Sequence, residues 1–113
     1  MANTIAIPTA VPTVIDSAVT APVVGNQFVF QADPAGTDFS CVFVPTGTVT
    51  TITAQLEISL DGGASWQIYI TGANFFPTNA VVTKTVTPLI AGALFRINYT
   101  AATGNFTMRV CSN

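Results

Sequence analysis

The chain has 113 residues, of which 50% are hydrophobic and only 7% are charged, with three basic residues, five acidic residues and no histidine. A length in this range indicates one domain. Three dispersed cations exclude the basic patch that a nucleic-acid interface requires, and the lack of histidine excludes Ser-His-Asp and Cys-His nucleophilic catalysis. Because a surface with so few charges is prone to association, we expect a subunit that its neighbours cover. The alternative is a stable secreted monomer with a Thr-rich surface.

Residues 1–24 have a Thr/Ala/Val background that is interrupted by Pro8, Pro12 and Pro22. Proline lacks a backbone donor and is disfavoured in central strands, so the segment is predicted to be an extended arm that reaches a neighbouring subunit. Its apolar side chains would be costly to leave in water. The candidate partner contacts in this arm are Ile5, Ile7, Val14 and Ile15. The alternative is an N-terminal strand packed on its own domain.

Residues 25–113 are predicted to form an all-β domain, because β-branched residues dominate and Gly, Pro, Asn and Asp separate the runs. About seven or eight short runs are typical of a two-sheet antiparallel sandwich, either jelly-roll-like or immunoglobulin-like. The predicted strands are 27–31, 39–44, 49–59, 66–70, 80–87, 93–100 and 106–111.

Alternation of apolar and polar residues predicts which side of each strand is buried. The polar residues of the strand 49–59, which include Glu57, are predicted to face water. The strand 66–70 divides into one side with Trp66, Ile68 and Ile70 and another with Gln67 and Tyr69. In the strand 93–100, the side with Phe95, Ile97 and Tyr99 is opposite the one with Leu94, Arg96, Asn98 and Thr100. In the strand 106–111, the side with Phe106, Met108 and Val110 is opposite the one with Thr107, Arg109 and Cys111.

Cys41 and Cys111 each fall in a predicted strand. Their spacing does not specify a disulfide, and the N-terminal residues lack the positive region and apolar core of a secretory signal. Buried free thiols are therefore expected, with one disulfide as the alternative. Two cysteines without any histidine also make a poor zinc site.

The sharpest local motif is S-x-D-x-G-x-S-W over residues 59–66, which resembles the Asp-box of sialidase propellers and many other β proteins. Asp61 is predicted to accept hydrogen bonds from the turn, and the two glycines are predicted to supply positive φ. Trp66 can cover the turn from the next strand. The motif thus predicts a structural hairpin built on Ser59, Asp61, Gly62, Gly63 and Trp66. The functional alternative is that Asp61 is a calcium ligand or a catalytic acid.

Few other residues are candidates for a site. Asp33 and Asp38 bracket a Pro-Ala-Gly loop and are interpreted as a solvated turn, with calcium binding as the alternative. Phe75 and Phe76 are adjacent in a loop and cannot both point inward, so they are candidate partner contacts or a plug at the end of the sandwich. No catalytic, cofactor-binding or metal-binding residue is predicted.

A wider resemblance covers residues 49–113. A Thr/Val-rich strand leads into the hairpin 56–66, an arginine-bearing strand follows at 95–100, and Gly104 precedes a final strand. This order is similar to small β-sandwich virion proteins of tailed bacteriophages, which include head decoration (cement) proteins and tail-associated proteins.

The resemblance implies a structural virion protein, not an enzyme, that docks on the head shell and stabilises it through subunit contacts. The implied partners are the major capsid protein, further copies of the chain in a homo-oligomer, or both. No cofactor, nucleic acid, membrane or small-molecule substrate is implied. Such a protein is assembled in the host cytoplasm, without a secretory signal, and resides in the virion. The alternatives are a tail or neck component, and a carbohydrate- or receptor-binding module whose stacking platform would use Trp66, Tyr69 and Tyr99.

Overall fold

The computed structural model describes residues 4–7, 12–30, 38–49, 51–70, 82–86 and 92–112. These residues contain no helix and form ten strands. The strands are β1 (Thr4–Ile7), β2 (Thr13–Val19), β3 (Val23–Val24), β4 (Gln27–Phe30), β5 (Phe39–Pro45), β6 (Thr51–Ser59), β7 (Gln67–Ile70), β8 (Val82–Val86), β9 (Leu94–Thr103) and β10 (Phe106–Ser112).

The strands pack as two sheets, which confirms the predicted two-sheet sandwich. Among the described residues, the larger sheet has the order β1-β4-β9-β6-β7, with β3 also paired to β9, and the smaller sheet has the order β2-β10-β5-β8. The antiparallel pairs are nested along the chain: β2 with β10, β4 with β9, β5 with β8, and β6 with β7. A long antiparallel ribbon rolled into two sheets gives this nesting, which is the jelly-roll architecture.

The core lies between the sheets and is rich in aromatic rings. Phe28, Phe30 and Phe95 from the larger sheet meet Phe39 from the smaller one, with ring centroids 4.7 to 6.1 Å apart. All four side chains are at most 1% exposed. Edge-to-face and offset ring pairs of this kind stabilise a core beyond the area that they bury, so this cluster fixes how the sheets sit on each other.

The described parts of residues 1–24 belong to the sandwich itself. Strand β1 pairs in parallel with β4, and β2 pairs antiparallel with β10. The predicted boundary after residue 24 falls between β3 and β4, which both pair with β9, and between them Gly25 N–H donates to the carbonyl of Ile97 at 2.8 Å. These parts therefore correspond to the alternative of strands packed on their own domain.

Alternation predicted the faces of β9 and β10 but not of β7. In β9, Phe95 and Tyr99 are buried and Arg96 is half-buried, as expected. In β7, Ile68 is aligned with Glu57 and Ile70 with Leu56, so Tyr69 is an extra, bulged residue.

The bulge places Tyr69 and Ile70 together on the core side and leaves Ile68 on the outer side. Its ring lies 5.9 Å from the buried ring of Phe95, while Ile68 is 54% exposed. The prediction that Ile68 and Ile70 share one side of the strand and Tyr69 lies on the other was wrong, because strict period-two alternation does not allow for an inserted residue.

Neither cysteine is disulfide-bonded. Cys41 is aligned with the buried Val110 and is itself fully buried, while Cys111 is aligned with Ser40 one position further along the same two strands. Successive residues of a strand point to opposite faces, so the two thiols lie on opposite faces of the smaller sheet and their Cβ atoms point apart, which excludes a disulfide between them.

Candidate functional site

The β6–β7 turn uses both carboxylate oxygens of Asp61. Its Oδ1 accepts hydrogen bonds from Ser59 Oγ at 2.8 Å and from Ser65 N–H at 2.9 Å, and its Oδ2 accepts from Ser65 Oγ at 2.5 Å. These bonds, led by that of the Ser65 hydroxyl, lower the pKa of Asp61 to about 2. Gly62 and Gly63 have φ values of 73° and 96°, as the turn requires. The exposed carboxylate therefore serves to hold the turn in one shape.

A polar network lies on the outer face of the larger sheet, where β6 and β9 pair. Glu57 Oε1 accepts from Arg96 Nε at 2.6 Å, and Oε2 accepts from Gln55 Nε2 at 2.6 Å and from Asn98 Nδ2 at 3.2 Å. The Arg96 guanidinium also lies over the Trp66 ring, 4.1 Å from its centroid, a cation–π arrangement. We call this set the Glu57–Arg96 network.

The network covers Glu57, contrary to the prediction that this residue faces water. The Glu57 side chain is only 9% exposed. Burial raises its pKa, but the hydrogen bonds from Gln55, Arg96 and Asn98 together with the Arg96 charge outweigh burial, so the pKa of Glu57 is lowered. The carboxylate therefore stays ionised, and the positive charge of Arg96 balances it. Sequence alternation missed this network because it does not reveal that β6 and β9 are neighbours.

A second buried carboxylate belongs to Asp16, which is 5% exposed between the sheets. Its Oδ2 accepts from the Tyr99 hydroxyl at 2.7 Å and its Oδ1 from Asn26 N–H at 2.8 Å. Burial raises the pKa of Asp16, and these two hydrogen bonds only partly oppose the shift. Two irregularities in the pairing of β2 with β10 allow Ile15 and Asp16 to be buried in succession. No sequence signal marked this pair.

The predicted contact residues of the first segment do not share one surface. Ile7 and Ile15 are each 1% exposed within the core, so in this fold they cannot serve as partner contacts. Ile5 packs against the core and is half-buried. Only Val14 is exposed, at 37%. Phe75 and Phe76 lie outside the described residues, as does Asp33.

The aromatic side chains proposed for a carbohydrate platform are separated by the fold. Tyr99 is 1% exposed and bonded to Asp16. Tyr69 turns toward the core, and Trp66 has Arg96 over its ring. The three rings therefore do not form one exposed stacking surface.

Most of the charged side chains that the structure describes are buried or are already bonded to another residue. Asp16 and Glu57 are buried, Arg96 is paired with Glu57, and Asp61 holds its turn. Of the six charged side chains that the structure describes, this leaves the half-buried Asp38 and the exposed Arg109. The described surface is thus more neutral than the composition alone indicates.

The described residues contain no group of three or more His, Cys, Asp or Glu side chains that could hold a metal ion. They also include no helix that is long and apolar enough to cross a membrane. No family model matches the chain, and neither a curated protein nor a solved structure is significantly similar to it.

Proposed function

We propose that the chain is a structural virion protein of a tailed phage, a decoration or cement protein that docks on the head shell and stabilises it through contacts between subunits. The observation that carries this proposal is the neutral surface. With Asp16 and Glu57 buried and Asp61 held by its turn, little charge opposes close packing against other protein.

The jelly roll supports the same proposal. It is an architecture of viral capsid domains and lectins, although a fold by itself does not define a function. The resemblance of residues 49–113 to small phage virion proteins favours a capsid-associated protein over a lectin. Because Trp66, Tyr69 and Tyr99 do not form one exposed surface, they do not support a carbohydrate-binding function.

The construction of the domain fits a passive structural role. In the described residues, no buried side-chain nitrogen or oxygen atom lacks a hydrogen-bond partner. Three of the four described acidic side chains are fixed by a partner: Asp16 by Tyr99, Glu57 by Arg96 and Asp61 by Ser65. Side chains that are already held by hydrogen bonds lose little further conformational entropy when the domain docks.

The test is sedimentation of the purified chain with empty head shells of the phage that encodes it. We expect saturable binding, a regular copy number per shell, and shells that withstand higher temperature when decorated. A chain that stays in the supernatant, or that is found by electron microscopy only on tails or necks, would overturn the assignment to the head.

A further inference from the structure

The outer faces of the two sheets differ in how their charges are satisfied. The larger sheet carries the Glu57–Arg96 network, in which the cation has a carboxylate at 2.6 Å. On the smaller sheet, Arg109 of β10 is exposed and no described carboxylate forms an ion pair with it. The same residue type is thus neutralised on one face and left charged on the other.

The surroundings of Arg109 are apolar or neutral. In the pairing register it lies between Val42 of β5 and Val14 of β2, and directly aligned residues of paired strands share a face. Thr107 and Cys111 occupy the same face of β10, two residues away on either side. Val14 is 37% exposed, and Val42, Thr107 and Cys111 are half-buried. We call these five residues the Arg109 face.

An occupant of the Arg109 face must supply negative charge. Covering an arginine with apolar surface leaves an uncompensated buried cation, which is strongly unfavourable. Covering it with a carboxylate instead forms a short, charge-assisted and potentially bidentate contact. Arginine within a neutral patch is also a residue type that contributes strongly to protein interfaces.

A second copy of the chain is poorly equipped to supply that carboxylate. Of the four described acidic side chains, Asp16 and Glu57 are buried, Asp61 already accepts three hydrogen bonds in its turn, and Asp38 is half-buried. Nucleic acid is not favoured either, because phosphate binding draws on several clustered cations. Charge complementarity therefore favours a different protein.

We propose that the Arg109 face is the docking surface for a partner protein that places a carboxylate against Arg109. This inference rests on the proposed structural role and adds to it the face that binds and the chemistry of the partner. Val14, a contact predicted from the sequence, lies at the edge of the same face.

The experiment measures the affinity of variants for the same empty head shells by sedimentation. Arg109→Gln and Ala6→Glu change the net charge by the same amount, but Ala6 is an exposed residue of β1 in the larger sheet. We expect Arg109→Gln to weaken binding by about tenfold or more and Ala6→Glu to leave it unchanged. Arg109→Lys, which keeps the charge without the planar fork, should fall between them.

A second variant tests the chemistry without removing the arginine. Val14→Glu puts a carboxylate directly across from Arg109 in the pairing register and should weaken binding by occupying Arg109 internally. Circular dichroism of each variant checks that the fold is retained.

Wild-type binding that Arg109→Gln leaves intact would overturn this inference and leave the proposed function standing. The absence of wild-type binding would overturn both. If Arg109→Gln instead reduces self-association of the free chain and leaves shell binding intact, the face joins copies of the chain and the inference of a different partner is wrong.

Discussion

The hydroxyl of Tyr99 donates a 2.7 Å hydrogen bond to Asp16, and this bond joins β9 of the larger sheet to β2 of the smaller one. Both residues are at most 5% exposed. The two strands lie in different sheets and share no backbone ladder, so this contact is a polar link across an otherwise apolar core.

Removing the hydroxyl should therefore weaken the sandwich. Tyr99→Phe keeps the ring in the core but leaves Asp16 Oδ2 without its donor, and we expect a loss of about 1–3 kcal/mol in the free energy of unfolding. Urea denaturation at neutral pH measures the loss. The double variant Asp16→Asn/Tyr99→Phe should lose less than the sum of the two single variants, because the residues are coupled. Additive losses would show that the bond does not contribute to stability.

The pH dependence of stability should carry a signature of Asp16. Burial raises its native pKa above the ordinary value of 3.8, so the folded state holds the proton more tightly than the unfolded chain does. The contribution of Asp16 is then fully present below the ordinary pKa and is lost as the pH rises through the raised native pKa.

Asp16→Asn cannot titrate, so it isolates this contribution. We expect the free energy of unfolding of the wild type, relative to that of Asp16→Asn, to fall as the pH rises across the acidic range and then to level off. Denaturant titrations of both proteins at a series of pH values measure the difference. A difference that increases with pH would mean that hydrogen bonding, and not burial, controls the Asp16 carboxyl.

The Glu57–Arg96 pair should be costly to break from one side. Arg96→Met keeps an aliphatic chain near Trp66 but leaves the 9%-exposed Glu57 carboxylate with only the donors of Gln55 and Asn98. We expect a destabilisation of about 1–3 kcal/mol. Trp66 is the only tryptophan, so its fluorescence reports unfolding and also the loss of the cation above its ring.

The matched control also removes the Glu57 charge that Arg96→Met leaves without its partner. Glu57→Gln/Arg96→Met should recover part of the stability, because no ionised group is then left buried without its partner. A double variant that is less stable than Arg96→Met alone would contradict this account.

The turn that connects β9 of the larger sheet to β10 of the smaller one should not tolerate a side chain at Gly104. This residue has a φ of 112°, and a Cβ there would lie 2.2 Å from the carbonyl oxygen of Thr48 and 2.7 Å from Val49 Cα. Gly92 also has positive φ, but a Cβ there would meet nothing within 4 Å.

The two glycines therefore separate backbone strain from steric contact. Gly92→Ala should cost about 1–2 kcal/mol from conformation alone, and Gly104→Ala should cost clearly more because backbone atoms of Thr48 and Val49 must move. Thermal denaturation of both variants makes the comparison. Equal losses of stability would show that the backbone near Thr48 moves aside without a loss of stability.

The sequence predicted what depends on local pattern. Alternation located β9 and β10 and identified their buried sides, and the spacing of Ser59, Asp61 and Ser65 indicated a turn whose shape is set by short-range hydrogen bonds. These features depend on residues that are close together in the chain, so a single sequence contains them.

The contacts that the sequence did not predict depend on which strands are neighbours. Arg96 and Glu57 are 39 residues apart, and Tyr99 and Asp16 are 83 residues apart. Nothing in alternation specifies such pairs. A β-bulge also defeated the prediction from alternation. The extra residue Tyr69 changes which residues of β7 face the core, and the local sequence pattern does not indicate it.

The nested pairing of the jelly roll also bears on how the chain reaches its native state. Because β2 pairs with β10, the smaller sheet is not completed until β10 has been synthesised. Among the strands that the structure describes, only β6 and β7 form a hairpin that can assemble early from neighbouring sequence. Domains dominated by such distant contacts fold on a timescale of about milliseconds to seconds. Folding should therefore be slow, with the Asp61 turn as the natural starting point.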